Sequence, residues 1–323
     1  MQRSVILGVG HALPERIVTN HDFAQTLDTS DTWIQERTGI KERHFIADDQ
    51  WNSEIAIDAA RKALEHSQTD VKNLHYILVA TSTPDHCFPP LAARVHDHLK
   101  ASDNTAAFDI NVACSGFVYA LHVADCLLRS QPEGSTALVI ASETLTRLLD
   151  MNDRNTAVLF GDGAGAVVLQ TTQNSTKGIL CSQLKTKGHG YQAMYAKGGA
   201  GAPHKSESRA MIMNGREIFK HAVLSMSEIL QDLMAQTRLS LEQIKFIIPH
   251  QANKRILDAV ARQCHLPSEI MVYTGDRHGN TGAASIPLAL SQTWHQGKIG
   301  PGDYGIFLSF AAGFSWGGNV VRL

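Results

Sequence analysis

The chain has 323 residues, of which 43% are hydrophobic and 19% are charged, and its formal net charge is −2. This much apolar material excludes a wholly disordered chain and is enough for one large domain or two smaller ones. The near-neutral charge balance gives no overall electrostatic reason to bind nucleic acid or an anionic membrane surface.

Short apolar runs alternate with helical patterns through the first half of the chain. The predicted strands cover 4–9, 75–81, 105–111, 137–142, 157–160 and 164–170, and the predicted helices cover 53–66, 91–99 and about 114–129. This alternation predicts an α/β fold with a largely buried sheet.

The second half of the chain also alternates helices with strands, after a segment of different composition. Residues 185–209 are rich in glycine, lysine, histidine and serine, which predicts a loop with a turn at 198–201. Helices are then predicted over 215–234 and 253–264, and strands over 245–248, 271–273, 304–310 and 318–322. We therefore expect two halves, 1–172 and 173–323, that pack as one body.

The five cysteines are spread along the chain, and no two of them form a CxxC pair. Their odd number and wide spacing favour free thiols in a reducing compartment over a disulfide framework or a structural zinc site. The first apolar run is short and broken by glycines, unlike a signal peptide, and no apolar run approaches the ~18 residues of a membrane helix. We expect a soluble, cytoplasmic protein.

Cys114 is the first candidate for chemistry, because it stands where a predicted buried strand ends and a helix begins. Unpaired N–H groups and the positive end of the helix dipole favour the thiolate there, which is the reactive form of cysteine. The alternative is a buried structural cysteine, the usual environment of a free thiol. Position alone leaves the two interpretations equally open.

His250 and Asn280 are weaker candidates when each is taken alone. His250 follows a predicted buried strand, where α/β enzymes place catalytic groups, and Pro249 restricts the backbone before it. The chain has 16 histidines, however, so a surface or hydrogen-bonded role is the commoner one. Asn280 stands in a Gly-Asn-Thr-Gly turn, where asparagine usually caps or turns the chain.

Five motifs occur in a fixed order along the chain: Ala113-Cys-Ser-Gly116, Phe160-Gly-Asp-Gly-Ala-Gly165, Pro249-His-Gln-Ala-Asn253, Arg277-His-Gly-Asn-Thr281 and Gly313-Phe-Ser-Trp-Gly317. Together they resemble the β-ketoacyl-acyl-carrier-protein synthase III family of condensing enzymes. The N-terminal segment 31–43 also looks like a signature of that family. The resemblance runs from about residue 4 to the C-terminus.

The resemblance implies a thiolase-like fold, in which two similar halves, each with a mixed five-stranded sheet, stack in alternating α and β layers, usually as a homodimer. It implies that Cys114 holds the acyl group as a thioester and that His250 and Asn280 donate hydrogen bonds to an enolate. Backbone N–H groups of Cys114 and Ala312 would serve the oxyanion. Relatives often carry glycine where Ala311 and Ala312 stand, so the dihedral angles of this turn are an open point.

The same matching implies the binding residues. Those for coenzyme A are Trp33, Arg37, Arg154, Gly215, Phe219 and Asn253. A positive face that suits an acidic carrier protein consists of Arg216, Lys220, Lys254, Arg255 and Arg262. A group of basic residues like this one is more often simply an exposed surface without a binding partner. Phe88 resembles a residue that closes the acyl pocket of the partner subunit.

Neighbouring chemistries fit less well. Thiolases use a second catalytic cysteine late in the chain, whereas Cys264 lies inside a helical pattern, and chain-extending condensing enzymes use two histidines. Residues 161–165 lack the Lys-Ser/Thr of a phosphate loop. His96 and His98 fall on different helix faces, so no metal site is expected. The resemblance implies no cofactor, because the coenzyme A thioester is a substrate.

The leading prediction is an acyltransferase that condenses an acyl-CoA primer with malonyl-acyl carrier protein and initiates fatty-acid synthesis. One alternative is a diverged paralogue that serves a specialised lipid, quinolone or polyketide pathway, with a different primer or a free coenzyme A acceptor. Another is a non-catalytic acyl-thioester binding or regulatory protein, which would need none of Cys114, His250 and Asn280. Primer length is not readable from the sequence.

Overall fold

The computed structural model describes residues 2–174, 176–197 and 209–323, so the turn expected at 198–201 lies outside the described residues. The strands are β1 (Arg3–Ala12), β2 (Arg16–Thr19), β3 (Glu42–Phe45), β4 (Leu74–Ala80), β5 (Ala106–Ile110), β6 (Thr136–Thr144), β7 (Asp162–Thr172), β8 (Gly178–Thr186), β9 (Met194–Ala196), β10 (Met211–Met213), β11 (Ile244–Pro249), β12 (Tyr304–Ala311) and β13 (Ser315–Arg322). The α-helices are α1 (Asn20–Ala24), α2 (Asp31–Thr38), α3 (Asn52–Ser67), α4 (Leu91–Leu99), α5 (Gly116–Leu128), α6 (Gly215–Thr237), α7 (Lys254–Gln263), α8 (Gly275–His278) and α9 (Ser285–His295).

Two sheets organise these elements. The first has five strands in the order β1-β7-β6-β4-β5, and it is mixed because β4 pairs in parallel with β5 and β6 while β7 pairs antiparallel with β1 and β6. The second has four strands in the order β11-β12-β13-β8, with one parallel pair, β11 and β12. Five strands were expected there. The predicted strand at 271–273 makes only an isolated bridge, between Met271 and Ile247.

The helices form three layers around the two sheets. The apolar side chains of α3 and α4 share a core with one face of the first sheet, and those of α6 and α7 share a core with one face of the second. Between the sheets, Leu121 of α5 and Leu290 of α9 lie in one buried cluster with Val139 of β6 and Phe307 of β12. The order of layers is therefore α/β/α/β/α, as the thiolase-like fold requires.

The position of α5 follows from its composition. Phe117, Leu121, Ala124 and Leu128 lie on one face of this helix, Val118 and Ala120 extend that face to its two sides, and all six are fully buried. A helix with so wide an apolar face has to be covered on more than one side, which places α5 between the two sheets. The residues just before α5 are thereby carried into the centre of the molecule.

Several predictions of local structure need correction. Residues 157–160 form no strand, and Phe160 makes only an isolated bridge to Asn280. Helix α9 was not predicted, although Pro287 at its third position is compatible with a first helical turn. The first sheet takes its strands from residues 3–172 and the second from 178–322. The division into domains 1–172 and 173–323 stays a prediction, because α5 contacts strands of both sheets.

Within the described ranges, none of the helices combines the length and the hydropathy that crossing a bilayer requires.

Candidate active site

A cleft of about 430 Å³ opens where the segment before α5 meets the segments that follow β11 and β12. Cys114, His250 and Asn280 all line this cleft, although they come from three distant parts of the chain. Ala312, which follows β12, lines it as well. The structure thus brings together the four residues that the sequence singled out for chemistry.

Cys114 lies in a short 3-10 turn, Ala113–Ser115, that leads into α5. Ala113 is left-handed, with φ 44°, a conformation that costs roughly 1–3 kcal/mol for a residue with a side chain. The Asn111 side chain accepts the Ala113 N–H at 3.2 Å, and the Ser115 hydroxyl donates to the Ser315 carbonyl of β13 at 2.9 Å. Contacts from both sheets therefore fix the turn that presents Cys114.

The electrostatic environment of Cys114 differs from the expected one. Burial raises the pKa of the Cys114 thiol to about 12, and the nearby Glu143 carboxylate acts in the same direction. Desolvation therefore opposes the backbone donors at this turn and favours the thiol, whereas the position at a helix start was expected to favour the thiolate.

His250 is held at two points. Its backbone N–H donates to the Leu308 carbonyl at 2.7 Å, and its Nδ1 lies 2.7 Å from the hydroxyl of Ser285, the first residue of α9. Burial lowers the pKa of the imidazole to about 4, so the ring is neutral near pH 7. Because Nδ1 is bonded to Ser285, Nε2 is the ring nitrogen left for a substrate.

Asn280 is fixed by its backbone and by one end of its side chain. Its N–H donates to the Leu159 carbonyl at 2.8 Å, and its carbonyl accepts the Gly161 N–H at 3.1 Å. The side-chain oxygen accepts the Gly282 N–H at 2.9 Å, so the amide nitrogen is the end left for the cleft. A Cβ at Gly161 would lie 2.3 Å from the His278 carbonyl, so only glycine permits this close approach.

Ala312 stands between two cavities. A second, smaller cavity of about 90 Å³ lies beside the cleft, and four residues line both: Cys114, Phe160, Met194 and Ala312. Ala311 is extended, with φ −140° and ψ 169°, whereas the left-handed conformation falls on Gly313 and Phe314. Neither alanine needs a positive φ. The departure from glycine at 311 and 312 therefore leaves the turn unstrained at those positions.

The residues implied for coenzyme A also line the cleft. Two guanidinium groups lie near the Trp33 ring, with Arg37 Cζ 4.9 Å and Arg154 Cζ 5.1 Å from its centroid. Gly215 and Phe219 line the cleft from α6. One end of the cleft is therefore basic and aromatic, whereas the other end reaches Cys114.

Asn253 has a structural role besides its place in the cleft lining. Its side-chain oxygen accepts the Arg255 N–H at 2.9 Å and so caps α7. Its amide nitrogen donates to the Arg37 carbonyl at 3.2 Å. Asn253 thus ties the start of α7 to the end of α2.

The residues implied for carrier docking lie on α6 and α7, which pack against each other. All five are exposed: Arg216, Lys220, Lys254, Arg255 and Arg262. Lys254 pairs with Asp258 at 2.7 Å, and Arg255 also lines the cleft. Phe88 is 85% exposed and lines neither cavity.

Two residues near the nucleophile were missed by the sequence reasoning. Ser285, the partner of His250, stands in the same segment as Asn280 but carried no separate signal. Glu143 lines the smaller cavity, and its carboxylate accepts the Ser82 N–H at 3.1 Å and the Thr83 hydroxyl at 2.7 Å. Burial raises the pKa of Glu143 to about 7. A glutamate near the end of the long apolar strand β6 was the available signal.

Grouped His, Cys, Asp and Glu side chains could also bind a metal ion. In the part of the chain that the structure describes, no three His, Cys, Asp or Glu side chains are grouped as metal ligands. His96 instead places Nε2 2.9 Å from the Ser102 carbonyl.

Comparison with known proteins gives consistent matches over the chain. Residues 108–188 match the family model described as 3-Oxoacyl-[acyl-carrier-protein (ACP)] synthase III, and residues 234–323 match the C-terminal model of the same description. A beta-ketoacyl-[acyl-carrier-protein] synthase III from a Bradyrhizobium species is 47% identical over an alignment of 327 positions that covers 99% of each chain. A protein of the same name from Rhizorhabdus wittichii is 43% identical over 323 residues, 100% of each chain. The crystal structure of 3-oxoacyl-[acyl-carrier-protein] synthase III from Aquifex aeolicus matches with TM-score 0.92 and 38% identity, over 99% of this chain and 100% of that one.

Proposed function

We propose that this chain initiates fatty-acid synthesis. It belongs to the β-ketoacyl-[acyl-carrier-protein] synthase III family of condensing acyltransferases. The reaction is the decarboxylative condensation of an acyl-CoA primer with malonyl-[acyl-carrier-protein]. The observation that carries this proposal is the joint lining of one cleft by Cys114, His250 and Asn280.

The first half-reaction moves the acyl group onto Cys114. The two arginines and the Trp33 ring at the cleft mouth suit the phosphates and the adenine of coenzyme A. His250 Nε2 accepts the proton of the Cys114 thiol, while Nδ1 donates to the Ser285 hydroxyl, and the sulfur attacks the thioester carbonyl. The N–H groups of Cys114 and Ala312 stabilise the oxyanion, and coenzyme A leaves as a thiol with the transferred proton.

The second half-reaction forms the carbon–carbon bond. Malonyl-carrier loses carbon dioxide, and the resulting enolate oxygen accepts hydrogen bonds from His250 Nε2 and from the Asn280 amide. The Ser285 hydroxyl accepts the Gln251 N–H at 3.3 Å and can either accept from or donate to His250 Nδ1. In this half-reaction it donates to Nδ1, so the ring has changed tautomer and carries its hydrogen on Nε2. The enolate carbon attacks the acyl carbonyl, and Cys114 leaves as a thiolate that regains a proton from water.

The small volume of the second cavity favours an acyl primer with a short chain. Its volume is about 90 Å³ against about 430 Å³ for the cleft, and it begins at Cys114. Leu145, Leu148 and Met211 give it an apolar lining. An acyl chain bound to Cys114 would extend into this space, so we expect a primer of few carbons to react fastest.

A second copy of the chain is the proposed partner at the β5 edge. β5 is the last strand of its sheet and is only partly covered. The Asp109 carboxylate on β5 accepts the Leu91 and Ala92 N–H groups at 2.7 and 2.8 Å, which ties the segment after Phe88 to this edge. An unpaired edge beside an exposed aromatic side chain favours pairing with a second subunit.

The remaining assignments rest on charge and on cysteine chemistry. The exposed cations of α6 and α7 flank the cleft, so an acidic carrier protein docked there would deliver its arm to Cys114. All five cysteines are free, and Cys87 and Cys126 are exposed, which suits the reducing cytoplasm.

A two-step assay tests the proposed function. Purified protein is treated with acyl-CoA primers of increasing length, digested and examined by mass spectrometry, and then supplied with malonyl-carrier. We expect one acyl adduct on the Cys114 peptide, fastest for short primers, and a 3-oxoacyl-carrier product. Cys114→Ser should abolish condensation, whereas Cys126→Ser should not. An adduct confined to Cys87 or Cys126 would overturn the assignment, and equal use of free malonyl-CoA would favour the specialised-paralogue alternative.

A further inference from the structure

The turn that carries Ala312 bends through two left-handed residues. φ is 72° at Gly313 and 48° at Phe314. A positive φ is uncommon for a bulky residue and persists only where the surroundings hold it. Nothing lies within 4 Å of a Cβ built on Gly313, so this residue itself is not packed in place. The strand pair Ala311 and Ser315 holds the two ends of the turn, and the side-chain packing within it falls on Phe314.

The Phe314 ring is 1% exposed and is enclosed by other rings. The His221 ring of α6 lies 4.4 Å from it between centroids, with an interplanar angle of 33°. Phe310 lies 5.4 Å away, and His189 meets the ring edge at 5.8 Å and 83°. The stacked contact with His221 has the shortest centroid separation of the three.

The backbone ahead of β9 closes the remaining side. A Cβ on Gly190 would lie 2.1 Å from Phe314 Cγ, so the ring fills the space that a side chain would take. The Lys187 N–H donates to the Phe314 carbonyl at 2.9 Å. These contacts and the His221 ring hold Phe314 from two directions, which leaves Gly313 as the flexible link to Ala312.

We propose that His221 is a positioning residue for acyl transfer. By stacking on Phe314 it fixes the turn that aims the Ala312 N–H at the carbonyl oxygen held on Cys114. His221 lines neither cavity, so it acts through Phe314 and not on the substrate. The inference rests on the proposed function, in which the Ala312 N–H serves the oxyanion.

Three variants of His221 separate the effect of its aromatic ring from the effect of its side-chain volume. His221→Ala removes the stacked ring, His221→Leu keeps apolar volume without a ring, and His221→Phe restores an aromatic ring. Leu224→Ala is the matched control, because Leu224 lies on the same helix and is 49% exposed. Thermal unfolding of each variant shows which ones keep the fold.

Two reactions of Cys114 are then measured. Acyl transfer from acyl-CoA needs the oxyanion donors, whereas alkylation by iodoacetamide needs only the thiolate. We expect His221→Ala and His221→Leu to lower the maximal rate of acyl transfer about tenfold, since weakening one donor costs less than the ~10²- to 10³-fold effect of removing it. KM for acyl-CoA and the alkylation rate should stay unchanged. His221→Phe should recover the acylation rate to within about twofold, and Leu224→Ala should match the wild type.

The inference is overturned if the Leu variant acylates at the wild-type rate, or if His221→Phe folds but recovers nothing. It is also overturned if alkylation falls in parallel with acylation, because His221 would then support the whole cleft. Failure of the proposed function gives a different result: the wild type itself would be alkylated at Cys114 but would accept no acyl group from acyl-CoA.

Discussion

Replacement of Ala312 by proline removes one backbone N–H from the proposed oxyanion site. The preceding residue, Ala311, has φ −140° and ψ 169°, which is the extended conformation that a following proline requires. Ala312 also precedes the two left-handed residues, Gly313 and Phe314, so the substitution changes no residue that has a positive φ. The substitution should therefore leave the turn in place.

The expected loss follows from the number of donors and their exposure. Two backbone N–H groups are proposed to serve the oxyanion, and losing one such donor typically lowers the rate by ~10²- to 10³-fold, or about 2.7–4 kcal/mol. Ala312 is only partly buried, so solvent can replace some of the lost stabilisation. We therefore expect the lower end of this range, about a 100-fold slower acylation of Cys114 by Ala312→Pro.

The assay is rapid-quench measurement of labelled acyl transfer from acyl-CoA to Cys114. Ala312→Gly is the matched control, because it keeps the N–H and loses only a methyl group, and we expect its rate within about threefold of the wild type. Alkylation of Cys114 should be unaffected in both variants. The reasoning is refuted if Ala312→Pro folds and acylates at the wild-type rate. Equal losses in both variants would show that the methyl group matters and the N–H does not.

Three further predictions address other parts of the molecule. Asn280→Ala should lose about 10²- to 10³-fold in release of labelled carbon dioxide from malonyl-carrier while still acylating Cys114, because its amide is proposed to serve only the enolate. Lys220→Glu with Arg262→Glu should raise KM for malonyl-carrier without changing acylation by a small acyl-CoA, and added salt should mimic this effect. Burial lowers the pKa of His278 to about 4, so the folded protein keeps the ring neutral while the unfolded chain binds a proton near pH 6.5. The stability this provides above pH 6.5 is lost as the pH falls towards 4, and denaturant unfolding at pH 7 and pH 5 should show the wild type losing about 2 kcal/mol more than His278→Gln.

Regular elements with a clear period were predictable from the sequence. The helix expected at 91–99 is observed as Leu91–Leu99, and the strand expected at 304–310 ends one residue later, at Ala311. A run of four apolar residues carries much less information, which is why 157–160 was taken for a strand. Helix α9 was missed because a proline and several small polar residues interrupt its apolar pattern.

In the candidate site, the three motif residues were predictable from the sequence, but their partners were not. Cys114, His250 and Asn280 emerged from the order of motifs, since a structural explanation was equally good for Cys114 alone and better for His250 and Asn280 alone. The partners of these residues did not emerge, because Ser285 and Glu143 reach the site only through the way α9 and β6 pack. The effect of burial on the pKa of the Cys114 thiol was not predictable for the same reason. Its burial depends on both sheets, and no local pattern reports it.

The neutral state of the resting site has a consequence for catalysis. Burial raises the pKa of Cys114 to about 12 and lowers that of His250 to about 4, so a thiolate–imidazolium pair is disfavoured from both sides. Charge then develops only when the thiol attacks a bound thioester, and it develops largely on the carbonyl oxygen. A site that does not store a thiolate depends more on groups that stabilise the oxyanion, for which the N–H groups of Cys114 and Ala312 are proposed. The geometry of the turn that ends in Phe314 should therefore limit acyl transfer more than the acidity of the thiol does.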